Sequence, residues 1–268
     1  SNSEMSDYRQ CKRKLYLGTY RRLRQRAPDK PMSALSIGNL VHDALALYYA
    51  DGADPVAYAQ EIIDQDLEAI PEFTKELEKE GALVTLMLSG YLEWLEETGA
   101  DSDLRILGSE QMVEVKLVDA VPGFGPVTLL TKLDAPVERV SDGAKLALEH
   151  KTVSSLEQPT MLLKLDTQML TEHLGRFLQA IDAGATKEES YERCTGILYN
   201  MLRKVKRTAS AKPPFYGRED VPHNLFELRS HWIHVASIAR EIQKTRQLLD
   251  GGHDHHQICP PSPSRDCT

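Results

Sequence analysis

Two short apolar segments, each running into charge, constrain this chain most. The first reads Leu133-Asp134-Ala135-Pro136-Val137 and the second Leu146-Ala147-Leu148-Glu149-His150-Lys151-Thr152. Between them Ser141-Asp142-Gly143 has the chemistry of a hairpin turn, because Asp and Gly accept the backbone angles a tight reversal needs. The pair reads as two adjacent strands, with Asp134 at the end of one and Glu149 and Lys151 on the next. Side chains alternate along a strand, so Glu149 and Lys151 share one face and His150 points to the other. Leu146-Ala147-Leu148 is a continuous apolar run, as in a strand buried on both faces, and charges ending such a strand need compensation. Two carboxylates and an ammonium converging on one point suit a hard divalent cation held by oxygen ligands beside an attacking water. Taken alone, the tripeptide Glu149-His150-Lys151 also fits a solvated face with a weak ion pair.

Hydrophobic spacing places the other elements around this pair. Apolar periodicity predicts helices over residues 6–20 with Ser6 as N-cap, 33–50, 55–70, 72–97, 159–183 and 230–249. Strands are expected at 108–118, 126–133 and 195–203, a loop at 212–224 and an irregular tail at 251–268. The order predicts a mixed α/β fold: a small central mixed sheet flanked by helices, with an inserted helical block near the start. At 268 residues the chain reads as a single domain spanning 1–268, with residues 51–103 as the helical insertion.

The net charge of −8 argues against a generic nucleic-acid binder. The charge is segregated, however. Nine basic residues and one acid fall between Arg9 and Lys30, among them Arg13, Arg21 and Arg22. Lys204 and Arg207 belong to a second basic run, 203–212, which holds no acid, and the acidic excess lies largely in 51–103. Such a chain can still offer phosphates a basic groove; exposed helix faces and loops explain the same runs. No apolar run reaches membrane-spanning length and no secretory signal is visible, so a cytoplasmic protein without membrane partners is expected. The four cysteines, Cys11, Cys194, Cys259 and Cys267, are too sparse for a disulfide scaffold. His253, Asp254, His255 and His256 carry metal-ligating groups, and a solvated polar tail accounts for them as well.

Several motifs, in order, resemble the PD-(D/E)XK nuclease superfamily, and within it the RecB-type and CRISPR-associated exonucleases and related phage nucleases. Residues 6–17, with Cys11, several basic residues and Tyr16, look like that group's opening helix. Gly38-Asn39-Leu40-Val41-His42 looks like its Gly-x-x-x-His element, Thr131-Lys132-Leu133-Asp134 stands where Gly-x-(Ile/Leu)-Asp is usual, and Glu149-His150-Lys151 matches its Glu-x-Lys strand. Gln168 falls at the Gln of a Gln-x-x-x-Tyr motif, but Glu172 stands in the Tyr position, and Thr131 replaces a glycine.

The resemblance implies a restriction-endonuclease-like core and a metal-dependent deoxyribonuclease, an exonuclease of recombination, repair or phage replication in a bacterial or phage-infected cell. Its substrate would be DNA, single-stranded or with free ends, alongside recombination or replication partner proteins. Asp134, Glu149 and Lys151 would be catalytic. His42, Asp134, Glu149 and the His150 carbonyl would hold Mg²⁺ or Mn²⁺, with Glu110 and Gln168 as additional candidates. Arg13, Arg21, Arg22, Lys204 and Arg207 would bind DNA, and Tyr16 and Tyr20 either stack bases or pack in the core. The group often carries a [4Fe-4S] cluster. Here Cys11, Cys259 and Cys267 supply three thiols of the four normally needed, while Cys194 lies in an expected buried strand. The competing expectation is a non-catalytic DNA-binding or assembly subunit on the same fold, against which the intact Asp134, Glu149, Lys151 and His42 argue.

Overall fold

The computed structural model describes residues 1–23, 34–108, 110–118, 126–157 and 160–262. Helix α1 (Asn2–Gln10) is capped by the Ser1 hydroxyl, which accepts from the Glu4 N–H. It ends where Cys11 turns extended, at φ −163°, and a short α2 (Lys12–Leu15) leads into a π-helical turn over Tyr16–Tyr20. The unbroken helix expected over 6–20 is therefore two helices and a turn. No helix-breaking residue marks the interruption; the extended Cys11 is instead buried in the interior.

Three helices precede the strands: α3 (Ala34–Asp51), α4 (Pro55–Ala69) and α5 (Thr74–Thr98). Asp54 caps α4 by accepting from the Val56 and Ala57 N–H groups, and Pro55 starts it where a missing N–H costs nothing. Helix α5 stops at Gly99, in the left-handed region at φ 62°, which favours glycine.

Strands β1 (Leu104–Ile106), β2 (Gln111–Val118), β3 (Val127–Leu133), β4 (Ala135–Arg139) and β5 (Lys145–Val153) follow. Then come α6 (Thr160–Leu163), α7 (Thr167–Asp182), α8 (Lys187–Glu192), β6 (Gly196–Arg203), β7 (Tyr216–Pro222), α9 (Leu225–Asp250) and α10 (His255–Ile258). The main sheet has the order β1-β4-β5-β6-β7, with β5 and β6 parallel and the other pairs antiparallel. Strands β2 and β3 form a separate two-stranded ribbon. The expected hairpin is present: β4 pairs with β5 across a turn in which Gly143 has φ 72°.

The sheet separates two apolar layers. Leu146 and Leu148 of β5 join Leu198 and Leu202 of β6 against α3, α4 and α5. On the opposite face Ala147, Ile197, Tyr199 and Met201 pack with residues of α1, α7, α9 and the ribbon. This alternation fixes the face of every later residue on β5.

Four further expectations are corrected. The helix over 159–183 is two helices, because Asp166 interrupts it and caps α7 at the Gln168 N–H. The loop over 212–224 contains β7, whose central residues Gly217, Arg218, Glu219 and Asp220 have no apolar signature yet pair in register with β6. The last helix begins five residues earlier than expected, at a capping box between Asn224 and Glu227, and the tail contains α10.

Candidate active site

Glu149 and Lys151 lie on the α7 side of β5, and His150 lies on the α3 side. Glu149, Lys151, Asp134, His42, Gln168 and Glu172 all line one cavity of about 830 Å³ at the end of the sheet. Asp134 occupies the single residue between β3 and β4, where the chain leaves the ribbon and enters the main sheet. Its Oδ2 accepts from the backbone N–H of His150 at 2.8 Å and lies 3.2 Å from Nδ1 of His42. Helix α3 carries His42 one turn after Gly38. A Cβ at Gly38 would come within 3.3 Å of the Thr152 hydroxyl, so the glycine permits the close approach of α3 to β5.

Electrostatics divides the two acids. Burial pushes Asp134 upward, but the His42 hydrogen bond and the neighbouring histidines outweigh it and hold the carboxyl at about 2. Glu149 is raised well above the ordinary carboxylate range by burial first, then by the charges of Asp134 and Glu172. Lys151 Nζ sits 3.0 Å from Glu149 Oε1. Burial opposes the Lys151 charge, and the attraction of Glu149 more than restores it.

The His150 side chain is fully buried away from the cavity. Asn200 Nδ2 donates to its Nδ1 at 2.8 Å, and its ring stacks on Tyr49 at 5.2 Å. Arg218 donates to Asn200 Oδ1 at 3.0 Å, to Asp101 Oδ1 at 2.6 Å and to the Tyr91 hydroxyl at 2.9 Å. Burial pushes His150 down to about 3, so it is neutral near pH 7.

The whole chain, residues 1–268, matches a family model for the PD-(D/E)XK nuclease superfamily. The chain belongs to that superfamily. No curated protein matches it. Nucleases of the PD-(D/E)XK superfamily generally use Mg²⁺ or Mn²⁺. The donors gathered here fit such an ion: buried carboxylates crowded together, an imidazole beside one of them, and hard oxygen as the dominant ligand type. Among the described residues, three ligand atoms lie within 4.8 Å of one another only at Asp254, His255 and His256. Those side chains are otherwise engaged. Asp254 caps α10, His255 stacks on Tyr16 at 4.7 Å, and His256 Nδ1 meets the Arg13 guanidinium at 2.9 Å. They dock the tail onto the opening helices.

The other sequence candidates are scattered. Glu110 pairs with Lys132 and is absent from the cavity lining, although Lys132 is part of it. Gln168 does face the cavity, accepting from Lys151 Nζ at 3.2 Å. Of the five basic candidates, only Lys204 lines the cavity. Arg21 donates to the Tyr16 hydroxyl at 3.1 Å, and Arg22 is exposed in the left-handed region at φ 54°. Arg207 lies 5.0 Å over the Phe215 ring, donates to the Tyr216 hydroxyl and is absent from the cavity lining. Tyr16 is buried, and Tyr20 donates to Asp250. Cys11 is disulfide-bonded, Cys194 and Cys259 are buried free thiols, and Cys267 lies outside the described residues. Among the described residues nothing supports a [4Fe-4S] cluster.

Sequence reasoning missed Glu172. The residue reads as a departure from Gln-x-x-x-Tyr, yet four positions along a helix return to the same face. The Gln168-to-Glu172 spacing was the available signal: Gln168 Nε2 donates to Glu172 Oε1 at 3.0 Å, and Glu172 is buried in the cavity wall.

Proposed function

We propose that this chain is a divalent-metal-dependent deoxyribonuclease, an exonuclease of the RecB-like kind acting on single-stranded DNA or free ends in recombination, repair or phage replication. The observation that carries the reading is the convergence of Asp134, Glu149 and Lys151 on one cavity beside His42. Asp134, Glu149, His42 and the His150 carbonyl would hold Mg²⁺ or Mn²⁺. Bound there, the cation supplies Lewis-acid stabilisation of phosphate charge and a more acidic water.

The chain's own groups do the rest. Lys151, kept cationic by Glu149, orients the attacking water and offsets the charge that builds on the phosphate as the P–O bond breaks. Gln168 holds the Lys151 ammonium from the opposite side. The buried pair of His150 and Asn200 fixes the backbone between the two charged residues of β5. Lys204 at the cavity rim is placed to meet the DNA backbone.

The test is degradation of end-labelled single-stranded and duplex oligonucleotides beside a covalently closed circle, with Mg²⁺, Mn²⁺ or EDTA. Linear DNA should shorten with either ion, the circle should survive, and EDTA should stop the reaction. Cleavage of the circle would remove the exonuclease assignment. Intact linear DNA under every divalent condition would leave the non-catalytic DNA-binding subunit as the better reading.

A further inference from the structure

We propose that Met112 and Leu130 form an apolar platform for one unstacked nucleobase of the DNA strand held at Asp134 and Glu149, so that the molecule selects an unpaired nucleotide at the point of cleavage. The inference rests on the nuclease reading and deepens it by naming the part of the substrate that the ribbon meets.

The ribbon has two unlike faces. Val113, Val115, Leu117, Leu129, Thr131 and Leu133 alternate along β2 and β3 and are buried. The other face carries Glu114, Lys116, Thr128 and Lys132, all exposed, as a face turned to water should. Met112, 58 % exposed, and Leu130, 40 % exposed, break that pattern. Register sets them side by side. Met112 lies opposite Lys132 and Leu130 opposite Glu114, so the two apolar residues are diagonal neighbours, about 7–8 Å apart. One exposed apolar side chain is ordinary; an adjacent pair in a cavity wall is a contact surface.

The cavity decides the occupant. Met112 and Leu130 line the same space as Asp134, Glu149 and Lys151. Leu130, Lys132 and Asp134 recur at every second position, which puts Lys132 about 7 Å and Leu130 about 14 Å of chain from Asp134. A phosphate held at Asp134 therefore brings its own base, or the next one, over the platform. The cavity wall changes character as a nucleotide does: charged groups for the phosphate, then hydrocarbon and thioether for the flat face of a base. Lys132 stands between the two regions and pairs with Glu110, from which a phosphate oxygen can draw it. Every base has a π-face, so this contact is indifferent to sequence, and the Met112 sulfur makes it polarisable. A base inside a duplex hides both faces, so the platform is reached only after the base leaves the stack.

The experiment compares the purified full chain with Met112→Ala/Leu130→Ala. The substrates are single-stranded oligonucleotides in Mg²⁺ whose last two nucleotides at each end are ordinary or abasic. Wild type should show a KM about tenfold lower for the strand with bases, and the double variant should cleave both strands at the higher KM with kcat unchanged. Its melting temperature should match wild type, because both side chains are exposed. A 2-aminopurine at the end of a blunt duplex, with Ca²⁺ in place of Mg²⁺, should brighten on binding wild type and stay dark with the variant. Equal KM values for the two strands in wild type, a preference kept in the variant, or no brightening with a cleaving wild type would overturn the platform and leave the nuclease reading intact; the exposed pair would then serve contact with another protein. Brightening without cleavage of any strand would keep the platform and overturn the nuclease reading, and neither signal would overturn both. Should the double variant not fold, the abasic comparison in wild type decides alone.

Discussion

The backbone N–H of His150 donates to Asp134 Oδ2 at 2.8 Å, so the residue that separates Glu149 from Lys151 also anchors the other acid. Asp134→Asn retains an oxygen that can accept this bond but loses the charge. The expected outcome is loss of DNA cleavage and of Mn²⁺ affinity, with a smaller loss of stability than Asp134→Ala, since the charge that the neighbouring imidazoles favour is gone but the acceptor stays. Asp134→Ala removes the acceptor from a buried amide as well and should also cost about 1–3 kcal/mol of stability. Chemical denaturation beside an oligonucleotide assay separates the two effects; wild-type cleavage by Asp134→Asn would exclude Asp134 as a ligand.

Asp101 holds the Arg218 guanidinium that in turn holds Asn200 against His150. Asp101→Ala leaves a largely buried Arg218 without its carboxylate, and breaking such a pair costs about 3–5 kcal/mol when it is deeply buried. Asp101 is 30 % exposed at its side chain, which places the expected loss toward the lower end. Urea unfolding measures it. A change within experimental error would mean that Asn200, the Ala100 carbonyl and the tyrosine hydroxyls hold Arg218 without it.

The phosphate contacts should be uneven. Lys204→Glu is expected to weaken single-stranded DNA binding and lower the salt slope by about one, because Lys204 lines the cavity. Arg207→Gln should leave the slope unchanged and reduce thermal stability, since its guanidinium packs on Phe215 and Tyr216. Fluorescence anisotropy between 50 and 200 mM salt reads both, and a larger effect from Arg207→Gln would reverse the assignment.

His231 gives the fold an acid-sensitive point directly behind Thr171 of the cavity lining. Burial, reinforced by the charges of His234, Arg9 and His223, pushes it down to about 4, and its Nε2 lies 2.9 Å from the Thr171 hydroxyl. The unfolded chain therefore takes up a proton near pH 6.5 while the native state does not until about 4. Stability from this group is present above pH 6.5 and falls as pH drops toward 4, by about 1.4 kcal/mol per unit. Melting temperatures between pH 7.5 and 5 should fall less steeply in His231→Gln than in wild type; parallel slopes would show that other groups carry the pH dependence.

The legible parts of this chain were those whose signal is local. The apolar run of β5, the Ser141-Asp142-Gly143 turn and the stripe on α3 all appear in the sequence because burial and turn chemistry act over a few residues. Strand β7 was hidden because its charged residues are satisfied at a distance, Arg218 by Asp101 and Asn200, and Asp220 by Arg139. The break at Cys11 was hidden because it follows from where that side chain is buried. At the site, Asp134, Glu149 and Lys151 were marked by charge at the ends of apolar strands. Glu172 was not, because its meaning depends on α7 lying across the end of β5. In the second basic run Arg207 packs on two aromatic rings, and a guanidinium so placed reads the same in sequence as one that meets phosphate.

The ribbon is tied to the main sheet at both ends, by residues 107–110 between β1 and β2 and by Asp134 alone between β3 and β4, so its exit carries a charged group. Close to that exit the ribbon rests on α7, where a Cβ at Gly175 would press within 3.0 Å of the Thr131 hydroxyl. Helix α7 also carries Gln168 and Glu172. A bulkier residue at position 175 would thus press from behind on the strand that delivers Asp134, without touching any of the cavity's carboxylates.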